Sequence, residues 1–144
     1  MKTFLSLALL LTSMVFVHAG WTTDYKAALA QAKTENKLVL LDFTGSDWCG
    51  YCKLLDSEVF FQQSFKDFAD SKYVMVTVDF PHEAPQPDTI KEQNAALGKQ
   101  FGIDGFPTLI VLTPDGKELG RQVGYDPGSG PDAVIAKLKS FSPN

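Results

Sequence analysis

Leu38-Val39-Leu40-Leu41-Asp42-Phe43-Thr44-Gly45-Ser46-Asp47-Trp48-Cys49-Gly50-Tyr51-Cys52-Lys53 is the stretch on which the reading of this chain turns. Its first six residues are apolar except for one acid, the pattern of a central strand buried on both faces. Thr44-Gly45-Ser46-Asp47 has the residue types of a turn. Beyond it, Leu54, Leu55, Val59 and Phe60 recur at helical spacing, which predicts a helix beginning near Cys49 and running past Glu58. A buried strand therefore leads, through one turn, into a helix whose first residues carry both cysteines of the 144-residue sequence.

Working outward, Phe61, Phe65 and Phe68 either extend that helix or line a second short one. Tyr73 to Phe80 is rich in β-branched and aromatic residues and reads as another strand, stopped by Pro81. Upstream, Thr22 or Thr23 caps a helix starting at Asp24, with Tyr25, Ala28, Leu29 and Ala32 at helical spacing and Asn36 at its end. Three prolines between Pro81 and Pro87 exclude regular structure and indicate an exposed, solvated connection. Asp88 or Thr89 then caps a helix carrying Ile90 and Leu97. Thr108 to Leu112 is a strand, Pro114-Asp115-Gly116 a tight turn, and Leu119 to Gly124 the antiparallel partner; Pro131 to Phe141 closes the chain as a helix. The order predicts an α/β fold, a mixed sheet of four to five strands flanked by helices on both faces.

The whole-chain properties narrow the functional classes. Apolar residues make up 44% and aromatic residues 12%, enough for one core and too little for two domains. A net charge of -4 leaves no basic footprint for nucleic acid or anionic lipid. Lys2, the apolar run from Phe4 to Val17 and the ending Val17-His18-Ala19 predict a signal peptide over residues 1–19, leaving a domain over 20–144. The apolar run is shorter than the ~20 residues of a membrane-spanning helix, so no stable span is expected after cleavage. An exported protein, periplasmic or secreted, is the expectation.

Export places the cysteines where disulfides persist. Cysteines at i and i+3 at a helix start lie on one face, close enough to bond without backbone movement. So small a loop restricts the unfolded chain little, so the pair suits opening and closing better than stapling. Cys49, at the helix N-terminus, is the candidate nucleophile because unpaired N–H groups there stabilise a thiolate. Cys52, one turn inward and shielded, is the candidate resolving thiol. Other readings of the pair are a structural disulfide, a copper(I) site, and a zinc site for which residues beyond 19 offer only His82. Asp42, a lone acid in an apolar strand, is a candidate proton acceptor for Cys52, with a satisfied structural acid as the plainer alternative. Asp47 brings a negative charge near Cys49 that opposes its thiolate. No metal site is expected, and no cofactor beyond the cysteine pair.

Leu41-Asp42-Phe43, Trp48-Cys49-Gly50-Tyr51-Cys52-Lys53, Gly102-Ile103-Asp104-Gly105-Phe106-Pro107-Thr108 and Val123-Gly124 resemble the thioredoxin superfamily in order and spacing, and the resemblance extends over Trp21 to Phe141. It implies a thioredoxin fold and a thiol-disulfide oxidoreductase that exchanges disulfides with exported proteins, as a reductase or general exchange enzyme. Its electron donor would be a membrane thiol-disulfide relay in a bacterial envelope. The alternatives are a disulfide oxidase or isomerase, and a redox-inactive or copper(I)-binding module. The resemblance further implies that Asp42 is the buried acid beneath Cys52, that Trp48, Gly50 and Tyr51 flank the substrate, and that Pro107 is a cis-proline facing the sulfurs. The backbone of Phe106 would then be free to pair with an extended substrate segment. Two departures stand out. The stretch between acid and first cysteine is one residue longer than usual, and Gly50-Tyr51 replaces the commoner Gly-Pro. That dipeptide resembles the one in periplasmic disulfide isomerases, whose dimerisation domain this chain lacks.

Overall fold

A computed structural model describes residues 20–143, so the signal segment expected over residues 1–19 lies outside the described residues. In chain order the elements are α1 (Tyr25–Glu35), β1 (Leu38–Thr44), α2 (Gly50–Leu55), a π-helical turn (Asp56–Phe60), α3 (Gln63–Lys72) and β2 (Tyr73–Asp79). They continue with α4 (Asp88–Gln100), β3 (Thr108–Leu112), β4 (Glu118–Val123) and α5 (Gly130–Lys139). The four strands form one mixed sheet in the order β2-β1-β3-β4. β1 runs parallel to β2 and antiparallel to β3, and β3 runs antiparallel to β4. This is the thioredoxin arrangement, with four strands.

Alternation along β1 assigns its residues to two cores. Val39, Leu41 and Phe43 pack with Ala28 and Ala32 of α1 and Leu97 of α4. Leu40 packs on the other face with Leu55, Val59, Phe60, Phe65, Val134 and Leu138, from α2, the π-helical turn, α3 and α5. Each fully buried Leu or Phe contributes about 1.5–3 kcal/mol relative to exposure, so both faces must be covered. Asp42, two residues after Leu40, shares the face beneath α2 because side chains repeat every second residue of a strand.

Several element ends differ from those the sequence predicts. Asp24, rather than Thr22 or Thr23, caps α1, accepting a hydrogen bond from Ala27 N–H at 2.9 Å. Thr22 is instead drawn to the sheet. Its N–H donates to Met75 O at 2.9 Å and its carbonyl accepts from Thr77 N–H at 2.8 Å, a parallel bridge to Val76. The helix of the cysteines does not run past Glu58 as an α-helix; it ends at Leu55 and widens into the π-helical turn. Phe61 lies between that turn and α3, so the second short helix is the correct alternative. Pro87 occupies the cap position of α4, with neither Asp88 nor Thr89 capping it, and α5 ends at Lys139 rather than Phe141.

Candidate active site

The C-terminal end of β1 and the start of β3 lie side by side, with Phe43 opposite Thr108. The segment leaving β1 turns through Gly45, whose carbonyl accepts hydrogen bonds from Trp48 N–H at 3.2 Å and Cys49 N–H at 2.8 Å. Gly45 is required for packing: a Cβ there would collide with the Trp48 indole. Cys49 then adopts an extended backbone as the N-cap of α2, and its Sγ accepts a hydrogen bond from Cys52 N–H at 3.2 Å. Cys49 and Cys52 form a disulfide with Cα atoms 5.3 Å apart. Cys49 is 6% exposed and Cys52 2%, so the order of accessibility is the expected one but the difference is small.

Around the pair, Trp48 and Tyr51 are exposed, at 40% and 56%. Gly50 has open space where a side chain would begin. The Phe106–Pro107 peptide bond is cis. Pro107 is buried, and its carbonyl accepts from Gly124 N–H at 2.8 Å. The Phe106 ring meets Trp48 edge-on, with centroids 5.5 Å apart and planes at 80°. Trp48 and Phe106 thus link the cysteine turn to the cis-proline turn.

Asp42 is 4% exposed, and its Oδ1 has no hydrogen-bond partner. Burial pushes its carboxyl well above the usual carboxylate range, and the nearby charges of Asp56 and Asp79 push it further.

Other functional contacts were not anticipated from sequence. Asp47, though exposed, aims its carboxylate into the Pro81–Pro87 loop. It accepts N–H bonds from His82 at 2.9 Å, Glu83 at 2.8 Å and Ala84 at 2.9 Å. These bonds lower its pKa to about 2. Ser46 bonds Asp79 through its N–H at 2.9 Å and through its hydroxyl. Trp48 Nε1 donates to Phe80 O at 2.8 Å. The loop is therefore fastened to the cysteine turn, not merely solvated, and a groove of about 630 Å³ runs between Trp48, Phe106 and the loop. Only the local signal of an acid beside a Trp-Cys pair was available to suggest this, since the partners lie 35 to 37 residues away. Among the described residues, no group of three or more His, Cys, Asp or Glu side chains is placed to hold a metal ion.

Comparison with known proteins agrees with this geometry. A family described as "Thioredoxin-like domain" matches residues 25–139. The disulfide bond reductase DsbH of Chlamydia pneumoniae is 39% identical over 117 residues, covering 81% of this chain and 69% of the relative. The thioredoxin-related protein DsbJ of the same organism is 34% identical over 111 residues, covering 76% of this chain; the chain spans only 32% of that relative. A solved structure described as DsbH oxidoreductase superposes with a TM-score of 0.78 at 38% identity, covering 85% of this chain and 83% of the other. A short-range dithiol at the start of a helix, beneath two exposed aromatics and on this sheet, is a thiol-disulfide exchange centre whose redox group is the disulfide itself. The chain belongs to the thioredoxin-like family and is a thiol-disulfide oxidoreductase.

Proposed function

We propose that this enzyme acts on exported proteins as a disulfide reductase or general exchange enzyme, with Cys49 attacking and Cys52 resolving. The observation that carries the assignment of roles is the placement of Cys49 as N-cap of α2, its sulfur taking the Cys52 N–H, above a more buried Cys52. A hydrogen bond to sulfur favours the thiolate, the attacking form. In the reduced enzyme the Cys49 thiolate attacks a substrate disulfide, forming a mixed disulfide and releasing one substrate thiolate. Cys52 then gives up its proton and attacks Cys49. The Cys49–Cys52 bond forms, the second substrate sulfur leaves with the electron pair, and Asp42 takes the proton.

The reductase direction is supported by the similarity to DsbH of Chlamydia pneumoniae, a disulfide bond reductase. Export and an electron-donating membrane relay extend the same reading, on the strength of the sequence of residues 1–19. Trp48, Gly50, Tyr51, Phe106 and Pro107 serve as the substrate-contacting surface in this reading. The test is reduction of insulin disulfides in the presence of dithiothreitol, paired with a redox titration of Cys49 and Cys52. Accelerated insulin precipitation and a potential near the reducing end of the family, about −270 mV for thioredoxin, are expected. No acceleration over dithiothreitol alone defeats the assignment, and a potential near the oxidising end, about −120 mV, defeats its direction.

A further inference from the structure

Asp42 is not the only carboxyl beneath the cysteine helix. Cys52 and Asp56 stand four residues apart on α2 and its continuation, one turn apart on the same face, and Asp56 N–H donates to Cys52 O. Asp56 is partly exposed, whereas Asp42 is buried. Both line one cavity of about 220 Å³, whose polar side is completed by Thr44, Ser46 and Thr77 and whose apolar side is Trp21, Phe60 and Phe61. The unpartnered Oδ1 of Asp42 belongs to the same buried side chain. The cavity is large enough for water, and the two carboxyls and three hydroxyls on its polar side supply the partners a water needs.

We propose that Asp42 and Asp56 work as one proton-holding pair, in which Asp56 sets the proton affinity of Asp42 and conducts its proton through the cavity to solvent. The inference rests on the role of Asp42 as proton partner of Cys52 proposed above. During resolution the Cys52 S–H bond breaks and an O–H bond forms on Asp42. The proton then crosses cavity water to Asp56 and leaves, which returns Asp42 to the charged form for the next turnover. When an electron donor opens the Cys49–Cys52 disulfide, the same path runs in reverse and protonates the departing Cys52 sulfur. Asp56 touches no reacting sulfur; it is a positioning residue that acts through Asp42.

The electrostatics support this order. The charged groups bearing on Asp42 are both acids, Asp56 on the helical side and Asp79 on β2. Asp56 is raised by burial and by Asp79. Two like charges lining one cavity oppose each other, so the last proton is shared by the pair rather than owned by one carboxyl. Asp79 does not line this cavity and is engaged by Ser46 through both oxygens, which leaves Asp56 as the acid placed to conduct.

The test is a carbon-13 NMR titration of the aspartate carboxyls in the oxidised protein, for wild type, Asp56→Asn, Asp56→Ser and Asp56→Glu. It is joined to the pH profile of the single-turnover resolving step. Asp56→Asn and Asp56→Ser are expected to move the Asp42 midpoint to lower pH and to shift the resolving profile the same way, while Asp56→Glu restores both. An Asp42 midpoint unmoved by loss of the Asp56 charge, or moved equally by Asp56→Glu, overturns the inference. Because the titration needs no turnover, failure of the wild type to reduce insulin would instead count against the proposed function.

Discussion

The indole of Trp48 lies flat on the imidazole of His82, with ring centroids 4.7 Å apart and planes 8° from parallel. The neighbouring residue fixes that contact, since Asp47 holds the His82, Glu83 and Ala84 amides. Asp47→Ala should release those amides, seen as faster hydrogen exchange at 82–84, and raise KM for a peptide disulfide several-fold with kcat little changed. The pH dependence has a definite sign. A folded pKa of about 2 lies below the unfolded value of about 3.9, so the stabilisation is present above the latter and lost as pH falls through the former. Acid titration of Trp48 fluorescence in a Trp21→Phe background should show the stack opening between those limits, and Asp47→Ala should show no such transition.

Gly45 and Gly50 make a matched pair of tests. Gly45→Ala forces the Trp48 ring away from its seat, whereas a Cβ at Gly50 meets nothing within 4 Å. Gly45→Ala is expected to reduce kcat/KM about tenfold, the equivalent of about 1.4 kcal/mol of lost transition-state stabilisation. Gly50→Ala should change it less than twofold. Equal losses in the two would remove Trp48 from the substrate surface.

The division of labour between the sulfurs is testable by trapping. Cys52→Ser should accumulate a stable mixed disulfide through Cys49, visible by non-reducing electrophoresis and peptide mapping, while Cys49→Ser should trap none. In the reduced wild type, iodoacetamide should label Cys49 first, despite the small difference in exposure between 6% and 2%. Preferential labelling of Cys52 would reverse the roles.

Asp42→Asn should separate stability from turnover. Burial raises the folded pKa above the unfolded one, so the folded protein binds the extra proton and stability falls as pH rises from about 3.9 through the raised value. Each tenfold change in proton affinity corresponds to about 1.4 kcal/mol. Urea denaturation should therefore find Asp42→Asn more stable than wild type at pH 8 and no different at pH 3. Its resolving step should nonetheless be slower at neutral pH. A variant that is stabilised but undiminished in turnover would leave Asp42 without a catalytic part.

Much of this was legible in the sequence because it is local. The run from Leu38 to Phe43 declares a buried strand, Asn36 ends α1 in the left-handed conformation at φ 53°, and the tight turn after Leu112 joins two strands that do pair. The π-helical turn was not legible, because Leu55, Val59 and Phe60 fit an α-helical period over so short a span. What locates that turn is distant: the Glu58 carboxylate accepts from the Tyr125 hydroxyl and from Gly128 N–H at 2.7 Å, tying it to the loop after β4. Asp47 and Asp56 were obscure for the same reason. An acid in a turn or on a helix is ordinarily solvated, and only the fold brings one against three loop amides and the other into the cavity of Asp42.

The bridge between Thr22 and Val76 also governs how this molecule meets other polypeptides. A sheet offers two borders at which a foreign strand can add, and an open border is a liability for self-association. Here Thr22 occupies hydrogen-bonding groups on the outer side of β2, filling part of that border from within the same chain. β4 has no such guard, since among the described residues it pairs only with β3. It ends at Val123, 60% exposed, directly opposite the residue that follows Pro107. Strand addition is thereby biased to the border that finishes beside the cis-proline turn. Trimming the chain past Thr22 would unguard the other border and turn a one-sided sheet into one that can propagate.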